Sequence, residues 1–222
     1  MVVSYSKKKL PQKRFSKNGI SNQLLKFMYL KQKIIAVNRI LRSADDHVVK
    51  FQSQLNLTCA PHCSHCCKKA DIETTALEFL PAAYNLLLSG KYNTVLDSID
   101  KKSDGICIFY DPLSAERCCR YYKFRGLLCR LFGFSKKTEK TGNHSFVSCK
   151  SISQTNNIYD IQKRLRYAPE MSDYYLKLYG IDPNLTVQYF PINESIKKAL
   201  EIVLLHFRRS EKQASNGAYI IT

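Results

Sequence analysis

Apolar residues recur at helical spacing at both ends of the chain and lose that period in between. From Ser21, the positions Leu24, Phe27, Met28, Ile34, Ile35, Val37, Leu41 and Val48 fall at roughly helical intervals, with Lys26, Lys31, Lys33, Arg39 and Arg42 on the other faces. This predicts a helix capped by Ser21 and ending near residue 50. Thr75-x-x-Glu78 has the form of a capping box opening a second helix that stops at Gly90, with Pro81 kinking it or resetting its start. A short helix over 93–102 follows. Short strands are expected over Ile106–Tyr110 and Ser145–Ser148. The last third reads as helix again over 157–167, 172–179 and 193–209, the last one capped by Asn193. The predicted class is mainly α with a few short strands, a helical shell around a cysteine-rich metal-binding lobe.

The division along the chain is a flexible basic arm over 1–20, a globular domain over 21–210 and a flexible tail over 211–222. In a chain of 222 residues, 45% hydrophobic and 24% charged residues are ordinary globular values and exclude wholesale disorder. No apolar run is long enough to span a bilayer, and no signal-peptide pattern follows the N-terminal lysines. The expected home is therefore a reducing cytoplasm, with no membrane association. The net charge of +17 is uneven: +10 over residues 1–50, −1 over 51–106, +6 over 107–150 and +2 beyond.

The middle of the chain carries the chemistry. Cys59, Cys63, Cys66 and Cys67 lie within nine residues, with His62 and His65 between them. The spacing C-x3-C-x2-C-C puts several soft sulfur donors on one loop, as Zn²⁺ or an iron-sulfur cluster requires. Cys107, Cys118, Cys119, Cys129 and Cys149 continue the set. Segments so poor in apolar residues gain stability from metal ligation, because binding free energy becomes folding free energy, and this predicts a lobe that collapses on chelation. Lys68, Lys69, Arg117, Arg120, Lys123, Arg125 and Arg130 flank the cysteines and could balance thiolate charge, although each taken singly reads as a solvated surface cation. Tyr110, Tyr121, Tyr122 and Phe132 read as core filler, and His47, His144 and His206 have no partner pattern. C-x3-C-x2-C is also the cluster motif of radical S-adenosylmethionine enzymes. Here His65 stands where those enzymes place an aromatic residue, and too little chain follows for their βα barrel.

The order Cys59-x3-Cys63-x2-Cys66-Cys67, Cys107-Ile-Phe-Tyr-Asp, Cys119-x-x-Tyr122-x-x-Arg125 and Cys129-Arg130-Leu-Phe-Gly resembles the CxxCxxCC or YkgJ-type cysteine-cluster family of zinc- or iron-chelating proteins. Members are variously labelled iron-sulfur-cluster proteins and flagellin lysine N-methylase-like proteins. The resemblance covers roughly residues 55–152. It implies a metal set of Cys59, Cys63, Cys66, Cys67, Cys107, Cys119, Cys129 and Cys149, with Cys118 as the extra thiol. Where the family has Arg-Pro this chain has Arg125-Gly126, which suggests a looser turn before Cys129.

Eight thiolates suit two zinc sites, a zinc pair sharing thiolates, or an iron-sulfur cubane with a separate zinc. Neighbouring side chains diverge, so the pair Cys66-Cys67 would serve two centres or bridge them, which tilts the reading toward iron-sulfur or a composite site. Three functions follow: a metal-binding protein with a structural or electron-transfer role; a zinc-stapled nucleic-acid (RNA) binding module steered by the basic arm and first helix; and, by family resemblance alone, a protein-lysine methylase-like enzyme. The basic arm suits a nucleic acid or an acidic protein as partner.

Overall fold

The computed structural model describes residues 22–59, 63–114, 118–147, 149, 152 and 158–217. The expected arm, Ser21, His62, Arg117 and the end of the chain lie outside them. The predicted mainly helical class with few short strands is what the structure shows.

The spine is α1, Asn22–Leu55, 34 residues long and so about 50 Å from end to end. Ile34, Val37, Leu41 and Val48 are buried as the periodicity requires, joined by Leu30, Ala44 and Phe51, whereas Ile35 is half exposed. The helix outruns the expected end and stops at Asn56, whose left-handed φ of 51° suits a helix terminus. A 3-10 turn, Ala76–Phe79, leads into α2, Leu80–Leu88. Pro81 sits in its first turn, where a missing N–H is harmless, so the proline resets the start of the helix. α3 is Tyr92–Lys101, and a short α4, Leu127–Leu131, carries Cys129.

Of the two expected strands, the one at Ser145–Ser148 forms within one residue of its expected start and the one at Ile106–Tyr110 does not. β1, Glu73–Thr75, pairs antiparallel with β4, Tyr189–Pro191, in the register Thr74↔Phe190. β2, Ser135–Thr138, and β3, His144–Val147, form a hairpin in the register Lys136↔Phe146. Ile106–Tyr110 is not a strand: its one bridge joins Tyr110 to Cys119, and the N–H groups of Ile106, Cys107, Ile108 and Tyr110 turn to Asp104 Oδ1, Cys67 O, Asn193 Oδ1 and Cys107 O. Toward the C-terminus come α5, Ile158–Lys163, a 3-10 turn at Leu165–Tyr167, α6, Met171–Tyr179, and α7, Pro183–Thr186. The last helix, α8, Ile192–Gly217, packs on α1 and α2. It begins at β4, so Asn193 lies inside it and is not its cap.

Helices and cysteine segments share one hydrophobic cluster. Leu41, Phe51, Phe79, Leu80, Ile196 and Val203 belong to it together with Cys107, Phe109, Cys119, Leu127 and Leu131. Among the described residues no helix is long and apolar enough to cross a membrane.

Candidate metal centre

Five stretches of chain deliver the cysteines. Cys59 follows the turn after α1, where Leu57 N–H bonds back to Gln52 O at 3.0 Å. Cys63, Cys66 and Cys67 ride a tight turn in which Ser64 O accepts from the N–H groups of both Cys67 and Lys68. Cys107 is bonded to that turn directly, its N–H donating to Cys67 O at 3.1 Å. Cys119 is fixed against the Cys107 segment by Arg120 N–H on Phe109 O. Cys129 is held on α4. Cys149 follows β3 and lies under Gly133, where a Cβ would stand 2.8 Å from Ile152 Cδ1 and 3.8 Å from Cys149 Sγ. With its φ of +87°, Gly133 makes that approach possible.

Cys59, Cys63, Cys66, Cys67, Cys107, Cys119 and Cys129 line one cavity of about 90 Å³. Its remaining walls are mostly apolar, with Ile72, Phe79, Phe109, Leu128, Phe134 and Ile192 among them, and Tyr122 and Arg125 also contribute. Cys149 is not on that lining, but the charge of its thiolate is felt at Cys59. Cys118 points elsewhere: its φ is +56° and its Sγ lies 4.0 Å from Pro112 O. His65 is exposed. All nine cysteines are described and none is in a disulfide. Among the described residues no three His, Cys, Asp or Glu side chains are drawn together closely enough to hold a metal ion.

Burial dominates the electrostatics. It pushes the thiols of Cys59 and Cys107 up to about 12, and that of Cys129 well above the ordinary range. Cys66 and Cys67, with Sγ atoms 3.9 Å apart, titrate together. The hydrogen bond from Cys67 lowers Cys66 to about 6, helped by the backbone and Arg125, and the same contact raises Cys67. Neighbour effects join the thiols in two groups: Cys59 feels Cys63, Cys149 and Cys66, while Cys67 feels Cys66, Cys107 and Cys119. Cys66 stands between them. Crowded buried thiols of raised pKa suit a soft cation, which supplies the charge that desolvation otherwise forbids.

Residues 58–162 match the family model CxxCxxCC, described as a "Putative zinc- or iron-chelating domain". The chain carries a CxxCxxCC domain. No curated protein and no solved structure matches.

Groups inside and outside the matched residues hold the CxxCxxCC cysteines in place. Glu78 is fully buried and accepts four bonds: Thr75 N–H at 3.0 Å, Thr75 O–H at 3.2 Å, Leu128 N–H at 3.0 Å and Tyr175 O–H at 3.3 Å. It thus caps the first 3-10 turn and α4 together; burial pushes its carboxyl upward against the pull of those donors. Arg130, 3% exposed in its side chain, is paired with Asp45 of α1 and donates to Arg125 O and Lys123 O. Arg125 lies 3.6 Å over the Tyr122 ring and also reaches Asp45. Asn193 of α8 clasps the Cys107 segment, donating to Ile106 O at 2.9 Å and accepting from Ile108 N–H at 2.8 Å.

Gly126 is packed tight, contrary to the looser turn expected. A Cβ there would meet the Phe79 ring at 2.8 Å and Glu78 Oε2 at 3.1 Å. Of the flanking cations among the described residues, Arg125 alone lines the cavity. Lys69 and Arg120 pair with Asp71 and Asp111, and Lys68 lies over Tyr110. Asp45 and Ile192 carried no sequence signal and Asn193 only that of a helix cap, because the groups they touch lie far away along the chain.

Proposed function

We propose that this protein is a zinc- or iron-binding protein whose centre is held by Cys59, Cys63, Cys66, Cys67, Cys107, Cys119, Cys129 and Cys149. The observation that carries the reading is the convergence of seven of these thiols, from four separate segments, on one apolar cavity. An iron-sulfur cluster is the occupant favoured. In a single tetrahedral zinc site with Zn–S near ~2.3 Å the sulfurs stand about 3.8 Å apart, a separation approached by Cys66 and Cys67 at 3.9 Å. Among the described residues no three of the thiols are drawn together as closely as a single metal ion requires, which suits a larger body.

Cys66, between the two electrostatic groups, is the thiol best placed to be shared by two centres. A cluster would supply one-electron chemistry when bound. The chain's own part is to exclude water with Phe79, Phe109 and Phe134, and to set Arg125 against the thiolate charge. Electron transfer is the role this arrangement suits, in a reducing compartment where the thiols stay unoxidised.

Anaerobic purification with iron, sulfide and zinc quantified per chain tests the proposal. Brown protein with near-equal iron and acid-labile sulfide supports it. Colourless protein with stoichiometric zinc and no redox wave replaces the cluster with a structural zinc. Loss of bound metal in both Cys66→Ser and Cys67→Ser is expected; retention in either sinks the shared site.

A further inference from the structure

The exposed ridge of α1 carries Arg39, Arg42, Asp46, Val49, Lys50 and Ser53, and a basic cleft opens along each of its flanks. One, of about 550 Å³, has Lys50, Arg166, Tyr167 and Lys177 on its walls and His47 among its lining. The other, of about 820 Å³, is lined on the opposite flank by Arg42, Lys123 and Phe124, with the paired Arg125 and Arg130 behind them. The carboxylates in the two clefts are Asp45, already engaged by Arg125 and Arg130, and Asp46. Among the described residues Arg42, Lys50, Lys123, Arg166 and Lys177 form no ion pair.

Charge is combined with flat aromatic surface. Tyr167 is 46% exposed, with the Arg166 guanidinium 4.6 Å from its ring centre and bonded to its hydroxyl at 2.7 Å. Lys177 lies 4.4 Å over the Tyr174 ring. The cations act on one another's surroundings: after burial, the fields of Lys177, Lys50 and Lys136 hold the His47 imidazole below its usual range. Unpaired cations in a chain of +17 charge would attract any anion. Their arrangement is more selective. They lie on both sides of a helix about 10 Å across, which a small anion cannot span. A half-exposed tyrosine whose ring is covered on one side by a guanidinium offers a stacking surface built of both groups, which suits a base better than an acidic peptide. A stiff duplex cannot enter both clefts, whereas a single strand can bend over the ridge.

We propose that α1 and its two flanking clefts bind single-stranded nucleic acid, with Arg42, Lys50, Lys123 and Lys177 on phosphates and Tyr167 stacking a base. Tyr122, Arg125 and Phe134 form a wall common to the larger cleft and the cysteine cavity, whereas Arg42, Lys50, Lys123, Tyr167 and Lys177 do not line that cavity.

The test is fluorescence anisotropy of a labelled oligouridine RNA of about twelve nucleotides with the full chain, over a salt series, with metal content measured on every variant. All variants keep the N-terminal lysines. K50Q/K177Q is expected to bind at least roughly tenfold more weakly at low salt, and its salt slope to fall by about 1.4, or ~0.7 for each phosphate no longer neutralised. Y167A is expected to weaken binding roughly fivefold or more with the slope unchanged. K91Q/K101Q, of equal charge loss at the two ends of α3, should bind as the wild type does. No binding at low salt overturns the proposal, as does a wild-type slope in K50Q/K177Q or an equal loss in K91Q/K101Q. Equal affinity for a duplex of that length, or equally strong competition by polyglutamate, also overturns it, in favour of a general polyanion surface.

Discussion

Glu78 shows how one buried side chain can order a site it does not enter. Its carboxyl answers the N–H of Thr75, the N–H of Leu128 and two hydroxyls, all within the interior. Glu78→Ala leaves these donors without an acceptor, at roughly 1–3 kcal/mol for each that finds no replacement. A fall of at least about 2 kcal/mol is expected from the urea midpoint, together with reduced metal content, because α4 loses its cap. The thiols give a pH prediction. Burial raises Cys59 and Cys107 from 9.0 to about 12. The metal-free fold therefore keeps its full stability below pH ~9, the unfolded value, and loses part of it as pH rises toward 12. Metal binding runs the other way, since thiolates are the ligands. Apparent affinity for zinc should rise with pH between about 6 and 9, with protons released on binding, as calorimetry in buffers of different ionisation enthalpy will register. A pH-independent affinity would contradict ligation by these thiols. The Cys-rich order was readable at this scale; the pocketing of Arg125 was not, because it depends on backbone geometry that spacing does not specify.

At the scale of elements, the long helices followed from periodicity and the short pieces did not. Ile106–Tyr110 has strand composition, yet Asn193 takes the Ile106 and Ile108 backbone groups that a neighbouring strand would have used. Asn193 itself looks like a helix cap in sequence, but β4 runs straight into α8 and frees its side chain to clasp the cysteine segment. Asn193→Ala is expected to cost roughly 1–3 kcal/mol and to loosen Cys107, seen as faster amide exchange over 106–110. Unchanged exchange there would show that the clasp is dispensable. Gly126 belongs to the same scale. A Cβ would enter the Phe79 ring, so Gly126→Ala should lower stability by about 1–3 kcal/mol, whereas a loose turn would tolerate it without loss.

For the whole molecule, the cysteine segments are part of the main core rather than an appended lobe. Cys107, Phe109, Cys119 and Leu131 pack in the same cluster as Leu41, Phe51 and Ile196. Asp45 of α1 ties down Arg130, and Asn193 of α8 ties down the Cys107 segment. Chelation is therefore expected to lower the melting temperature of the entire chain in one transition. A two-step melt, with helical signal persisting after the cysteine region unfolds, would restore the picture of an independent lobe that composition had suggested. The sequence by itself determined the mainly helical class, the core stripe of α1, the CxxCxxCC family and the inventory of thiols, because these rest on local period and short-range spacing. The tertiary structure decided which thiols face one cavity, which cation stands beside them, and that Asp45, Ile192 and Asn193 belong to the site's surroundings. Those depend on packing together segments far apart along the chain, and burial then raises the thiols of Cys59, Cys107 and Cys129.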